Sequence, residues 1–129
     1  MQLKAGQLSF NVSETASGEP ALLFLHYWGG SARTWNAVTL RLSTDLRCIA
    51  YDQRGWGQSD APQEGYSIQD LASDAKHLVE ALQLPRYVLV GHSMGGKVAQ
   101  FFAAQRPEGL EALILVAPAT PTPQNTPEC

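Results

Sequence analysis

Four short, mainly apolar runs, at residues 21–25, 46–51, 87–90 and 110–116, are spaced by stretches long enough to hold a helix. A strand built from such a run has no polar face to give to water, so it must be covered on both sides. Buried strands that alternate with helices form βαβ units, and these imply an α/β fold with a mostly parallel sheet and helices on both faces. The stretch at 68–82 carries Ile68, Leu71, Ala72, Ala75, Leu78, Val79 and Leu82 at helical spacing. Ser67 with Asp70 has the form of a capping box at its start, and Pro85 closes its far end. A short helix is expected over 34–42. Another follows residue 93, with Val98, Ala99, Phe102 and Ala103 on one face, ended by Pro107 and Gly109. Residues 8–12 alternate apolar and polar as in an outer strand, and Gly18-Glu19-Pro20 breaks the chain after it.

At 129 residues, with 44% hydrophobic and 16% charged residues, the chain has the size and composition of one globular domain. Residues 1–119 are read as the N-terminal portion of that domain, and the proline-bearing stretch 120–129 as a tail or the start of a further region. The net charge is −3 and the basic residues are scattered, so there is no cationic face for nucleic acid. The apolar runs are too short to span a bilayer, and the first residues lack a signal-like apolar segment, so a cytoplasmic protein is expected. Of the two cysteines, Cys48 lies in an apolar stretch and Cys129 is the last residue, which makes a redox role unexpected.

In such sheets ligands bind beyond the carboxyl ends of the strands. The unusual residues of this chain fall there. Gly91-His92-Ser93-Met94-Gly95 follows the third run and opens a helix, the setting of a strand–turn–helix nucleophile elbow. A turn that tight holds the serine in a strained conformation, with glycine two residues to either side because larger side chains would collide. The other reading of Ser93 is a plain helix cap. A nucleophilic serine acting on a carbonyl needs two N–H donors for the developing oxyanion. The amide of Met94 is one candidate, and that of Trp28, in His26-Tyr27-Trp28-Gly29-Gly30 after the first run, is the other. The loop that begins Asp52-Gln53-Arg54-Gly55 follows the second run. It is read as structural, with Asp52 and Arg54 as a pair that holds it and Asp60 as a surface residue.

These three motifs, in this order and each after a strand, resemble the α/β-hydrolase superfamily, and the elbow looks typical of its esterase-like and haloperoxidase-like members. The resemblance implies a serine hydrolase with Ser93 as nucleophile, acting on a small ester, thioester or amide, with no metal or organic cofactor. His26, Gly29 and Gly30 are then structural parts of the oxyanion loop, and Gly91 and Gly95 the elbow glycines. Tyr27 stands where many relatives have glycine, and a narrowed oxyanion pocket or a shifted Trp28 is the expected consequence.

In that family the triad acid and histidine follow the serine in the chain. After Ser93 there is no histidine, and the only acids are Glu108, Glu111 and Glu128. His77 is expected on the solvated side of its helix. No triad acid or base is therefore assigned in this chain, and the sequence reads as the N-terminal half of such an enzyme, cut after about the sixth strand and nearly inactive alone. Its last strand would leave an apolar sheet edge open to self-association or to pairing with a missing half. A non-catalytic pseudo-hydrolase or ligand-binding module, and a half-enzyme completed by another chain, are the competing readings.

Overall fold

A computed structural model describes residues 1–15, 18–42 and 44–117. Six strands form one sheet: β1 (Gln2–Ala5), β2 (Leu8–Thr15), β3 (Ala21–Leu25), β4 (Arg47–Tyr51), β5 (Tyr87–His92) and β6 (Leu110–Val116). A 3₁₀ turn (Ala32–Trp35) leads into helix α1 (Asn36–Leu42), and α2 (Ile68–Ala81) and α3 (Met94–Ala104) flank β5 in the chain. The strand order is β1-β2-β4-β3-β5-β6. The three contacts among β4, β3, β5 and β6 are parallel, and β1 and β2 are attached antiparallel. The mostly parallel α/β sheet expected from the pattern is the one observed.

β3 shows why the apolar runs have no alternation. Leu23 and Leu25 join one core cluster, with Ile49, Leu89, Leu71, Leu78, Val98 and Phe102, under α2 and α3. Leu22 and Phe24 join the other, with Cys48, Ala50, Val88, Val90 and Trp35, under the 3₁₀ turn. Successive side chains of a strand point to opposite faces, so a central strand covered on both must be apolar throughout.

Three elements depart from expectation. β1 alternates polar and apolar over only four residues, too short a run to announce it; it is an edge strand held by its pairing with β2, from Gln2↔Asn11 to Ala5↔Leu8. The helix expected over 34–42 is split, because the Ser31 cap starts a 3₁₀ turn before α1 begins. β6, read as a fourth buried strand, is not buried: Ile114 is 48% and Val116 42% exposed. It pairs with β5 on one side, and no strand among the described residues pairs with the other. The stretch 120–129, and with it Cys129 and Glu128, lies outside the described residues.

Candidate functional site

The carboxyl ends of β3, β4 and β5 lie side by side because these strands are adjacent and parallel. The motifs that follow them therefore meet at one end of the sheet.

Ser93 closes β5 and opens α3 with φ 53° and ψ −112°. A non-glycine residue at positive φ is strained by about 1–3 kcal/mol. The residue is 7% exposed. Its side chain makes no capping bond to α3, which removes the plain helix-cap reading. Its amide donates to the Val116 carbonyl at 3.2 Å, and its carbonyl accepts from the Lys97 amide at 3.1 Å. The two flanking glycines are both needed, for different reasons. A Cβ on Gly91 would stand 2.5 Å from Gly95 O and 2.7 Å from the Gly96 Cα, a collision across the turn itself. A Cβ on Gly95 would instead run into the carbonyl oxygens of Leu25 and His26, at the end of β3. The second glycine thus lets the 26–30 loop lie directly on the start of α3. Met94 is the first residue of that helix and is buried.

The loop after β3 is a tight turn. The Gly30 amide donates to the Tyr27 carbonyl at 2.9 Å, and Gly29 sits at φ 80°, where glycine is favoured. Trp28 stands at the exposed corner of this turn with 53% of its surface open, edge-on to Trp56 at 5.0 Å. Trp56 in turn stands edge-on to His26 at 5.7 Å. The Tyr27 ring is turned to His92, with centroids 5.3 Å apart.

His26 is fully buried and both its ring nitrogens are engaged. The Gln53 amide donates to Nε2 at 2.9 Å, so Nε2 carries no proton, and Nδ1–H donates to the Tyr27 carbonyl at 2.8 Å. Burial holds the His26 pKa below its ordinary value near 6.5, against the opposing pull of the Tyr27 carbonyl and the Asp52 charge. A neutral ring with no free lone pair is a strut rather than a base.

The 52–60 loop is held differently from expectation. Asp52 and Arg54 do not pair. The Asp52 carboxylate accepts from the Ala32 amide at 2.7 Å, the Gln58 amide at 2.8 Å and the Asn11 side chain at 3.1 Å. Arg54 makes a two-pronged contact with Asp74 of α2 at 2.6 and 2.7 Å and donates to the Gly65 carbonyl. Asp52 is already consumed by amides, whereas Asp74, on α2 between Leu71 and Leu78, is a buried charge that needs a partner. Burial pushes the Asp74 carboxyl up and Arg54 pulls it back down. Asp60 accepts from the Ser9 amide at 2.8 Å.

Sequence reasoning missed Gln53 and Asp74. A lone acid on the apolar stripe of a helix was the signal for Asp74. Gln53 had none, because its role depends on a loop distant in the chain.

His77, Glu108 and Glu111 lie away from Ser93. His77 is half-buried and packs over the β1–β2 turn, where a Cβ on Gly6 would be 2.5 Å from its Nδ1. Glu111 pairs with Arg86 at 2.6 Å near the start of β6, at the far end of the sheet, and the Glu108 carbonyl accepts from Tyr87. Among the described residues no group of three His, Cys, Asp or Glu is set to hold a metal ion. No helix among them is long and apolar enough to cross a membrane.

A family model described as the alpha/beta hydrolase fold matches residues 20–129. The 2-(acetamidomethylene)succinate hydrolase of Mesorhizobium japonicum is 35% identical over 111 residues, 86% of this chain and 40% of its own. An esterase from Exiguobacterium antarcticum superposes with a TM-score of 0.86 at 32% identity, covering 93% of this chain and 46% of its own. An epoxide hydrolase from Vigna radiata does so at 0.84 and 30%, covering 89% and 38%. The chain spans between 28% and 41% of the length of the curated relatives it matches.

Proposed function

The chain belongs to the alpha/beta hydrolase family, among whose matched members are hydrolases, and we propose that it carries the nucleophile and oxyanion parts of a serine hydrolase acting on a small ester, thioester or amide. The observation that carries this reading is the backbone of Ser93, held at φ 53° with its side chain off the helix cap. Strain of that kind persists only where the surrounding structure enforces it, and it gathers at sites of chemistry.

In the proposed reaction the Ser93 Oγ attacks the carbonyl carbon and its proton passes to a base. The negative charge that develops on the carbonyl oxygen is met by the amides of Met94, at the positive end of α3, and of Trp28, on its turn. Collapse expels the alcohol, thiol or amine, and water then cleaves the serine ester. The nucleophile itself narrows the substrate class within a family that also holds epoxide hydrolases. A serine that opened an epoxide would become an ether, which has no carbonyl for water to attack, and the enzyme would stop after one event. A serine acylated by an ester, thioester or amide becomes an ester, which water can release.

No described residue fills the place of base or acid. Both nitrogens of His26 are taken, His92 lies against Tyr27 and Trp35, and His77 lies over Gly6. The base and acid of this proposal come from residues outside the 129, in the same protein or in a partner. The open edge of β6, with Ile114 and Val116 exposed, is the place where further strands would add.

Without a base, an oxyanion hole and binding alone leave about 10³–10⁴ over the uncatalysed rate. The 129-residue chain is therefore expected to turn over aryl esters at no more than this residual rate, and to react selectively at Ser93 with a fluorophosphonate once imidazole is added as an external base, read by peptide mass analysis. Label scattered over surface serines, with Ser93 untouched, would sink the proposal.

A further inference from the structure

We propose that Gln53 is a positioning residue for the turn that carries the Trp28 amide, acting on it through His26. The inference rests on the Ser93 reading above.

Gln53 reaches His26 twice. Its backbone amide donates to Nε2 at 2.9 Å, and its side-chain Nε2 donates to the His26 carbonyl at 2.9 Å. The first contact sets which ring nitrogen bears the proton. The proton on Nδ1 then goes to the Tyr27 carbonyl, the same oxygen that accepts the Gly30 amide and closes the turn. The second contact holds the peptide just before that turn, whose carbonyl lies where a Gly95 Cβ would be. The preceding residue, Asp52, binds the Ala32 amide at 2.7 Å on the other side of the turn. Two consecutive residues of one loop therefore clip both flanks of the 27–30 turn of another, and the Trp28 amide lies between the clips.

The chemistry of the Gln53 side chain separates positioning from simple stability. It is 1% exposed, and its Oε1 has no hydrogen-bond partner among the described residues. A buried carbonyl oxygen left without a partner is a cost that leucine, of similar size, would not carry. The site keeps the amide for its donor, and the donor is aimed at the His26 carbonyl. Loss of the side-chain donor should leave the fold standing and let the turn drift. A misplaced oxyanion donor lowers the rate, and complete loss of one costs about 10²–10³.

The test is the Gln53→Leu variant of the 129-residue chain, followed by two readouts. The first is the rate of fluorophosphonate labelling at Ser93 with imidazole added as an external base; the second is the set of amide resonances in a ¹H–¹⁵N spectrum. The expected result is labelling about tenfold slower at an unchanged melting temperature. The Trp28, Gly29 and Gly30 amides should shift, and those of Met94 and Gly95 should stay in place. Unchanged labelling together with unchanged Trp28–Gly30 amides overturns the proposal. If Ser93 is not labelled even in the parent chain, the hydrolase reading is what has failed, and the Trp28–Gly30 amides alone decide whether Gln53 holds the turn. Should Gln53→Leu not fold, Gln53→Met repeats the test, and failure of both to fold makes Gln53 a purely structural residue and overturns the proposal.

Discussion

Two helices of this molecule begin at a serine, and the two serines do opposite things. Ser67 precedes α2 with φ −72° and ψ 162°, an extended conformation any residue adopts with ease. Its hydroxyl accepts from the Asp70 amide at 3.0 Å, and Asp70 accepts in return from the Ser67 amide at 3.2 Å. Ser93 precedes α3 at φ 53° and makes no side-chain capping bond to its helix. The first serine stabilises the structure by satisfying a helix end. The second destabilises it, because the close-packed turn of Gly91, Gly95 and the end of β3 forces the backbone into place. One residue type and one position relative to a helix thus serve stability in one region and, by our proposal, chemistry in the other.

That contrast can be broken by exchanging the effects. Ser93→Gly should abolish all labelling at position 93 and raise stability by about 1 kcal/mol, because glycine relieves the strain at positive φ. Ser67→Ala should do the reverse, with about 1 kcal/mol lost and labelling at Ser93 unchanged. Denaturant melts beside mass-mapped labelling read both at once. A Ser93→Gly protein no more stable than the parent would remove the argument from strain.

The larger stability effect is expected one step away from both serines. The Arg54–Asp74 pair ties the loop after β4 to α2, with side chains 15% and 5% exposed. Asp74→Ala leaves the partly buried guanidinium without its counter-charge, a loss for which about 3–5 kcal/mol, the cost at a fully buried site, is the upper bound. No midpoint shift in urea would mean that Arg54 simply turns to water.

Acid offers a gentler probe of the same end of the sheet. His26 has a lowered pKa in the folded protein, so the unfolded chain binds its proton more readily. Its contribution to stability is whole above the ordinary value near 6.5 and declines as the pH falls below it. The groups that face it are Gln53, Tyr27, Trp56 and the Asp52 charge. His26→Asn, measured by thermal melts across that range, should flatten the decline.

The smallest expected effect is at the open edge. Ile114→Lys in β6 should weaken any concentration-dependent association of the chain seen by light scattering, since a charge on an edge strand opposes edge-to-edge pairing. Association that survives the charge would place the contact elsewhere.

Much of the architecture is legible in the chain. The apolar runs of β3, β4 and β5 and the helical spacing of α2 are local patterns tied to long-range burial, so they announce both the element and its place. β1 is not legible, since its alternation covers only four residues and its pairing with β2 is what defines it. At the site, Gly91 and Ser93 are readable because a strained turn restricts which residues can occupy it, while Gly95 is readable by its spacing alone. The partners of Arg54 and Asp52 are not. Both are polar residues in one glycine-rich loop, and which charge meets which depends on how that loop lies against α2 and the 3₁₀ turn.

The sequence by itself determined the α/β sheet, the strand–turn–helix at Ser93 and the absence of any histidine after it. These rest on residue type and spacing, which the chain carries unaltered. Only the tertiary structure decided that Gly95 serves the end of β3 rather than the turn around it. It alone decided that His26 is a buried strut clipped by Gln53, and that Arg54 answers to Asp74. Each of these joins residues 20 to 70 positions apart in the chain. Hydrogen bonds and steric contacts act over a few ångströms of space, and only folding sets which distant residues come within that range.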